Sequence, residues 1–329
     1  MYKRIVYFFV LISIVLTSCE TDFDPNAEYK DITVVYGILN QNDSITYIKI
    51  NKAFLGKTSA YIMAQNEDSS SYGANLEVKM EEWNNGTYVK TFYFDTTSIY
   101  NKEPGIFYAP HQILYYCVTY NQLNQGSDYK LIIKNKKTGK LITATSQIVN
   151  KFSIDTPDKN ALFIDFSTNG KKKITWRSAK YGKRYQTKIR FNYLENGIPK
   201  FLDIIFPMQK SSNTAGGLVM NDEYTSATFY QALQSNLTPS TSTNPIVRVA
   251  GKVEVIITVA ADELSTYIDV NAPSNTIVQV RPEYTNIVNG IGIFSARYDN
   301  SIFNARILDL NSRSIDSLKF GQYTNMLGF

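Results

Sequence analysis

Apolar and polar residues alternate with a period of two over much of this chain. Ile48 and Ile50 are opposed by Lys49 and Asn51. Leu76, Val78 and Met80 alternate with Glu77, Lys79 and Glu81. Such alternation marks half-buried strands, because successive side chains point to opposite faces of a sheet. Ile32 to Leu39 is a β-branched run that ends in the turn-forming Asn40-Gln41-Asn42-Asp43. Asn84-Asn85-Gly86 predicts a hairpin between the alternating strand at 76–81 and Tyr88 to Phe94, since Asn-Gly readily takes positive φ. Ile113 to Tyr120, Tyr129 to Lys134 and Leu141 to Ile148 add three strands, the last two joined by the lysine-rich loop Asn135 to Lys140.

After Thr156-Pro157-Asp158 the pattern resumes with Leu162 to Phe166, Lys172 to Trp176, and the pair Arg184 to Tyr193 and Lys200 to Phe206 around Asn196-Gly197. Val253, Val255, Ile257 and Val259 share one face of a long strand, in which Gly251 predicts a bulge. Two segments break the β pattern. Ala227, Tyr230, Leu233 and Leu237 recur at helical steps, so 226–237 reads as an amphipathic helix. Asp262 to Ile268 is a shorter helix with acids at its positive end. Residues 301–329 are weakly patterned, as a final strand or a loose tail.

The expected fold class is mainly β: two β-sandwich domains, immunoglobulin- or fibronectin III-like, the second with one or two short helical insertions. The expected boundaries are 1–18, 19–30, 31–150 and 151–329. No repeat of solenoid or propeller length is present.

The first two segments follow from the N-terminus. Lys3 and Arg4 precede an apolar run from Ile5 to Leu16, and Leu16-Thr17-Ser18-Cys19 closes it. Twelve helical residues span about 18 Å, short of a hydrocarbon core of roughly 30 Å. The arrangement has the parts of an export signal and looks like a bacterial lipobox. Residues 1–18 are expected to be removed and Cys19 to carry lipid. Two acyl chains suffice for stable anchoring, so membrane attachment through Cys19 is the first partner expectation. Glu20 to Asn26 is acidic and resembles a surface-export signal, which predicts an outer-membrane protein facing the cell exterior. Asp22, Asp24, Asn26 and Glu28 suggest calcium, but Ala27 stands where an EF-hand loop needs Gly and Thr33 where it needs Glu, so 19–30 reads as a solvated tether.

Composition narrows the chemistry. The net charge of +5 falls to +3 once Lys3 and Arg4 leave, too weak and dispersed for nucleic acid. The hydrophobic content of 43% supports ordinary cores. With Cys19 lipidated, Cys117 has no partner for an internal disulfide, and its apolar surroundings predict a core residue. The single histidine, His111, follows Pro110 at the mouth of a strand and reads as a surface or edge residue. One histidine and one free thiol argue against zinc, copper or haem, and no phosphate-cradling glycine loop occurs. No cofactor is expected. Glu81 and Glu82 are adjacent on a strand and point to opposite faces, so they cannot act as a catalytic pair. Asp43-Ser44, Asp95-Thr96 and Asp316-Ser317 open triplets that fit a short O-glycosylation motif, at Ser44, Thr96 and Ser317. Turn chemistry explains them equally well. Tyrosine is abundant, with 24 Tyr and 18 Phe against 2 Trp. Tyr favours strands, and it also suits sugar- or partner-binding surfaces because it joins an apolar face to a polar tip.

Two segments carry a wider resemblance: Val35 to Leu39 running through Tyr47 to Gly56, and Glu283 to Ser295. They resemble an uncharacterised lipoprotein family of Bacteroidota, a domain-of-unknown-function family often encoded near TonB-dependent outer-membrane receptors. The resemblance implies such a receptor as a partner and carries no catalytic residue. The expected function is a non-enzymatic, surface-anchored module that captures a nutrient or glycan or serves a receptor. The alternatives are a carboxylate-based glycan hydrolase, with a pair of carboxylates roughly 5 to 9.5 Å apart, and a structural or adhesive surface protein.

Overall fold

The computed structural model describes residues 32–53, 60–100, 103–106, 108, 110–167, 170–273, 283–300 and 306–329. The fold is mainly β, with several sheets. The first half contains β1 (Ile32–Leu39), β2 (Ile45–Ala53), the short helices α1 (Ala60–Ala64) and α2 (Glu67–Ser70), β3 (Leu76–Asn84), β4 (Thr87–Tyr93), β5 (Asp95–Ile99), β6 (Gln112–Val118), β7 (Asp128–Asn135) and β8 (Leu141–Gln147). One sheet runs β1-β2-β6-β5 and a second runs β4-β3-β7-β8. Each buries one side of its alternation. Val35, Leu39, Ile48, Ile50 and Tyr115 point inward from the first; Val78, Met80, Leu131, Ile133 and Ile142 point inward from the second. All belong to one continuous hydrophobic cluster.

The Asn-Gly turns form as expected. Asn85 and Gly86 have φ of 48° and 77°, and Asn196 and Gly197 have 50° and 82°, so both central residues of each hairpin are left-handed. Glu81 and Glu82 do face opposite ways. Glu82 is buried, where Ser127 Oγ (2.9 Å) and Asn124 Nδ2 (2.8 Å) donate to its Oε1. It braces the loop before β7.

The second half contains β9 (Ile154–Thr156), β10 (Phe163–Ile164), β11 (Lys172–Arg177), β12 (Arg184–Glu195), β13 (Ile198–Ile205), β14 (Gln209–Lys210), β15 (Val219–Tyr224), α3 (Ser226–Asn236), β16 (Arg248–Ala260), α4 (Asp262–Asn271), β17 (Gly290–Asp299), β18 (Arg306–Leu310) and α5 (Ser312–Phe320). Strands β15-β11-β9 make a small sheet, while β12 and β16 form a long antiparallel pair. The expected helix at 226–237 is α3, closed at its start by a reciprocal cap between Thr225 and Thr228. Its Phe229 stacks on Phe166 with ring centres 4.0 Å apart. The bulge predicted at Gly251 is present: the β12–β16 register shifts between Phe191 and Tyr193, and a Cβ on Gly251 would stand 2.7 Å from the Asn192 carbonyl oxygen.

The halves meet through β17, which pairs in parallel with β1 and antiparallel with β16. Val288, just before it, bridges to Thr143 of β8. The ladder therefore runs without a break from strands before residue 150 to strands after it. Gly292 makes the parallel pairing possible. It has φ of 112°, and a Cβ there would lie 2.1 Å from the Val35 carbonyl oxygen.

Residues 306–329 are neither a lone strand nor a loose tail. They form β18, then α5, and then a segment that buries Leu327. Arg248 Nη1 donates to the carbonyls of Thr238 (2.9 Å) and Leu327, and its backbone N–H to Gly328 (2.7 Å). Among the described residues no helix is long and apolar enough to cross a membrane.

Candidate functional site

Cys19 and the acidic stretch after it lie outside the described residues. The other sequence-predicted residues are scattered. Ser44 is exposed in the turn before β2, and Thr96 is exposed on β5. Ser317 is half-buried on α5, where its carbonyl accepts from Gly321 N–H and Thr324 Oγ1. Cys117 is half-buried at the margin of the core rather than enclosed by it, and burial pushes its thiol pKa up.

His111 is half-buried at the start of β6. Its Nε2 lies 3.1 Å from Glu67 Oε1, and its Nδ1 lies 3.4 Å from the Tyr108 hydroxyl. Ser70 and Ser71 line the same small hollow. The two ring nitrogens thus face a phenol and a carboxylate. Among the described residues no group of three His, Cys, Asp or Glu side chains is placed to hold a metal ion.

An aromatic cleft of about 300 Å³ is better suited to a ligand, and three separate segments build it. The first is β1. Val35 and Leu39 are buried, so the alternation turns Tyr36 outward. The second is α4, fixed at its start by Ser295 of β17. Ser295 Oγ accepts from Leu264 N–H and donates to Glu263 Oε2, both at 3.2 Å. This sets Tyr267, Val270 and Asn271 along the cleft. The third is the stretch Glu283-Tyr284-Thr285. Asn286 pins it to β17 by using its side chain as a strand partner: Nδ2 donates to the Phe294 carbonyl (2.6 Å), and Oδ1 accepts from Phe294 N–H (3.0 Å). Ile291 and Gly292 complete the lining.

Tyr36 and Tyr267 meet edge to face, with ring centres 6.5 Å apart. Burial, reinforced by the Tyr36 hydroxyl, pushes the Tyr267 pKa up to about 12. Burial also raises the Tyr284 pKa, with smaller contributions from Glu263 and Asp262. Both hydroxyls therefore remain protonated at neutral pH and can donate hydrogen bonds. The cleft offers aromatic faces, phenol donors, the Thr285 hydroxyl and the exposed carboxylate of Glu283. Among the described residues, its lining contains no histidine, cysteine or lysine. Such a set can grip an amphipathic, hydroxyl-bearing ligand.

No protein-family profile matches this chain, and no curated protein matches it. Geometry is therefore the ground for any functional reading. The two segments that carry the lipoprotein resemblance are brought together here: Val35 pairs with Gly292 and Tyr36 with Ile293 across the β1–β17 ladder. Reading the sequence missed the cleft because its tyrosines are remote in the chain. The available signal was the outward phase of Tyr36, a large aromatic on the solvent side of an alternating strand.

Proposed function

We propose that this chain is a lipid-anchored, outward-facing lipoprotein of the outer membrane that captures a glycan without transforming it. The observation that carries the binding part is the cleft formed by Tyr36, Tyr267 and Tyr284. Aromatic faces with hydroxyl and carboxylate groups at their margins suit a sugar ring, which has apolar C–H faces and a polar rim. The anchoring part rests on Leu16 to Cys19. Membership of the Bacteroidota lipoprotein family, and service to a TonB-dependent receptor, rest on the two paired segments described above. On this reading the two halves are sandwiches of immunoglobulin or fibronectin III type that share a strand ladder.

The test is binding of the detergent-solubilised mature protein to a panel of plant and host glycans, measured by calorimetry. Tyr36→Ala and Tyr267→Ala are each expected to weaken binding by about tenfold, on the scale of one lost aromatic contact. No binding to any glycan, or full binding by both variants, would overturn the reading. Unchanged glycan length after prolonged incubation is the expected product analysis. Shortened products that disappear in Glu283→Gln would establish the hydrolase alternative instead.

A further inference from the structure

The cleft does not end at Tyr36. The outward face of the β1-β2-β6 sheet continues from it as a line of tyrosines. Tyr36 is paired in register with Lys49 of β2. Tyr47 stands two residues along β2 on the same face, which places it diagonally from Tyr36 at roughly 7–8 Å between backbones. Tyr47 is paired in turn with Tyr116 of β6, and their rings lie 6.5 Å apart. Tyr36 and Tyr47 are 41% and 47% exposed. Tyr267, Tyr36, Tyr47 and Tyr116 thus follow one another from the cleft across β1, β2 and β6, strands that span about 10 Å in two sheet spacings.

From this track we infer that the ligand is an extended, neutral oligosaccharide, bound with one end in the cleft and the rest laid across the strands. The inference rests on the glycan reading of the cleft and adds the ligand's length, direction and charge. A monosaccharide would use the cleft and leave Tyr47 and Tyr116 without a role. A folded protein partner would call for a broader apolar core than a single line of rings. Sugar chains stack on successive aromatic faces with little sequence demand, much as nucleic acid strands do on aromatic platforms. At the cleft end the charge follows from the carboxylates, while Lys49 stands on the track beyond it, cross-strand from Tyr36. Glu283 is on the cleft lining, and Asp262 and Glu263 are close enough to Tyr284 to raise its pKa. A uronate or sulfated chain would meet like charge there.

The experiment is calorimetry on the full mature protein in detergent, with neutral cello-, xylo-, manno- and malto-oligosaccharides from disaccharide to hexasaccharide and an oligogalacturonate series as the acidic arm. Affinity is expected to rise with chain length in one neutral series and to be weaker for the acidic one. Tyr47→Ala is expected to lower hexasaccharide affinity by about tenfold. The same variant should change disaccharide affinity by less than about twofold, because the two sites are separate. Tyr116→Phe, which keeps the ring, should behave as wild type and guards against a folding artefact. Affinity independent of chain length, equal loss for short and long chains, or a preference for the acidic series would overturn the track while leaving the cleft reading intact. Absence of all sugar binding would overturn both.

Discussion

Two sheet faces of this molecule expose apolar side chains, and they are finished differently. On the β12–β13 face, Phe201 and Ile205 are more than half exposed. Yet Phe201 lies under the guanidinium of Arg190 at 4.1 Å, and Arg190 grips Asp203 through Nε (2.7 Å) and Nη2 (2.9 Å). Lys188 reaches the same carboxylate at 3.0 Å. At the hairpin end Lys200 and Arg248 both pair with Glu195. Among the described residues strand β13 pairs with β12 alone, and its outer edge carries Pro199 and Lys200, which discourage strand addition. On the β1-β2-β6 face Tyr36 and Tyr47 are exposed beside Lys49, and the Tyr47 ring meets that of Tyr116 at 6.5 Å. Exposure by itself therefore says little. On the β12–β13 face charged neighbours cover the exposed ring, whereas the rings of Tyr47 and Tyr116 lie against each other.

The largest test of this contrast lies at the strand that supports the β1-β2-β6 face. Gly292→Val would drive a side chain into the Val35 carbonyl at a backbone angle that valine avoids. A stability loss of at least about 3 kcal/mol is expected in urea denaturation, with loss of glycan binding. A near-native stability would mean that β1 and β17 do not pair as described.

A smaller effect is expected on the covered face. Arg190→Ala uncovers Phe201 and should cost about 1 kcal/mol in the same assay, with raised self-association in sedimentation velocity. Tyr47→Ala removes an exposed ring from the other face and should change stability by less than about 0.5 kcal/mol. Equal losses for the two would erase the distinction between the faces.

The smallest effect is a pH dependence. The hydrogen bond from Arg190, helped by Lys188, holds the Asp203 carboxyl below its ordinary range. A depressed folded pKa gives stability that is present above the unfolded value and lost as pH falls through the folded one. The stability difference between wild type and Asp203→Asn should thus be full at neutral pH and fade in acid below the ordinary Asp range. The Tyr47→Ala difference should stay flat over that window. A difference that grows in acid would reverse the assignment for Asp203.

Local chemistry was legible in the chain and long-range assembly was not. The strands at 45–53 and 76–84, the Asn-Gly hairpins, the Gly251 bulge and the helix at 226–236 all follow from period, turn residues and caps. The helix α5 was missed because its buried stripe is thin: Ile315 and Leu318 pack inward among serines and charges. The N-cap Asn311, which accepts from Ser314 N–H at 2.8 Å, was a signal within reach. The partial exposure of Cys117 depends on its position near the sheet's margin, which no local pattern encodes.

The sequence by itself determined the mainly β character, the turn positions and the outward phase of Tyr36, since each depends on neighbours within a few residues. Only the tertiary structure decided that β17 would lie beside β1, that Asn286 would fasten Tyr284 to it, and that tyrosines from residues 36, 267 and 284 would share one cleft. A parallel pair needs a long connection, so its register is set by packing and by the room that Gly292 leaves for the Val35 carbonyl. No periodicity along the chain records a contact of that range.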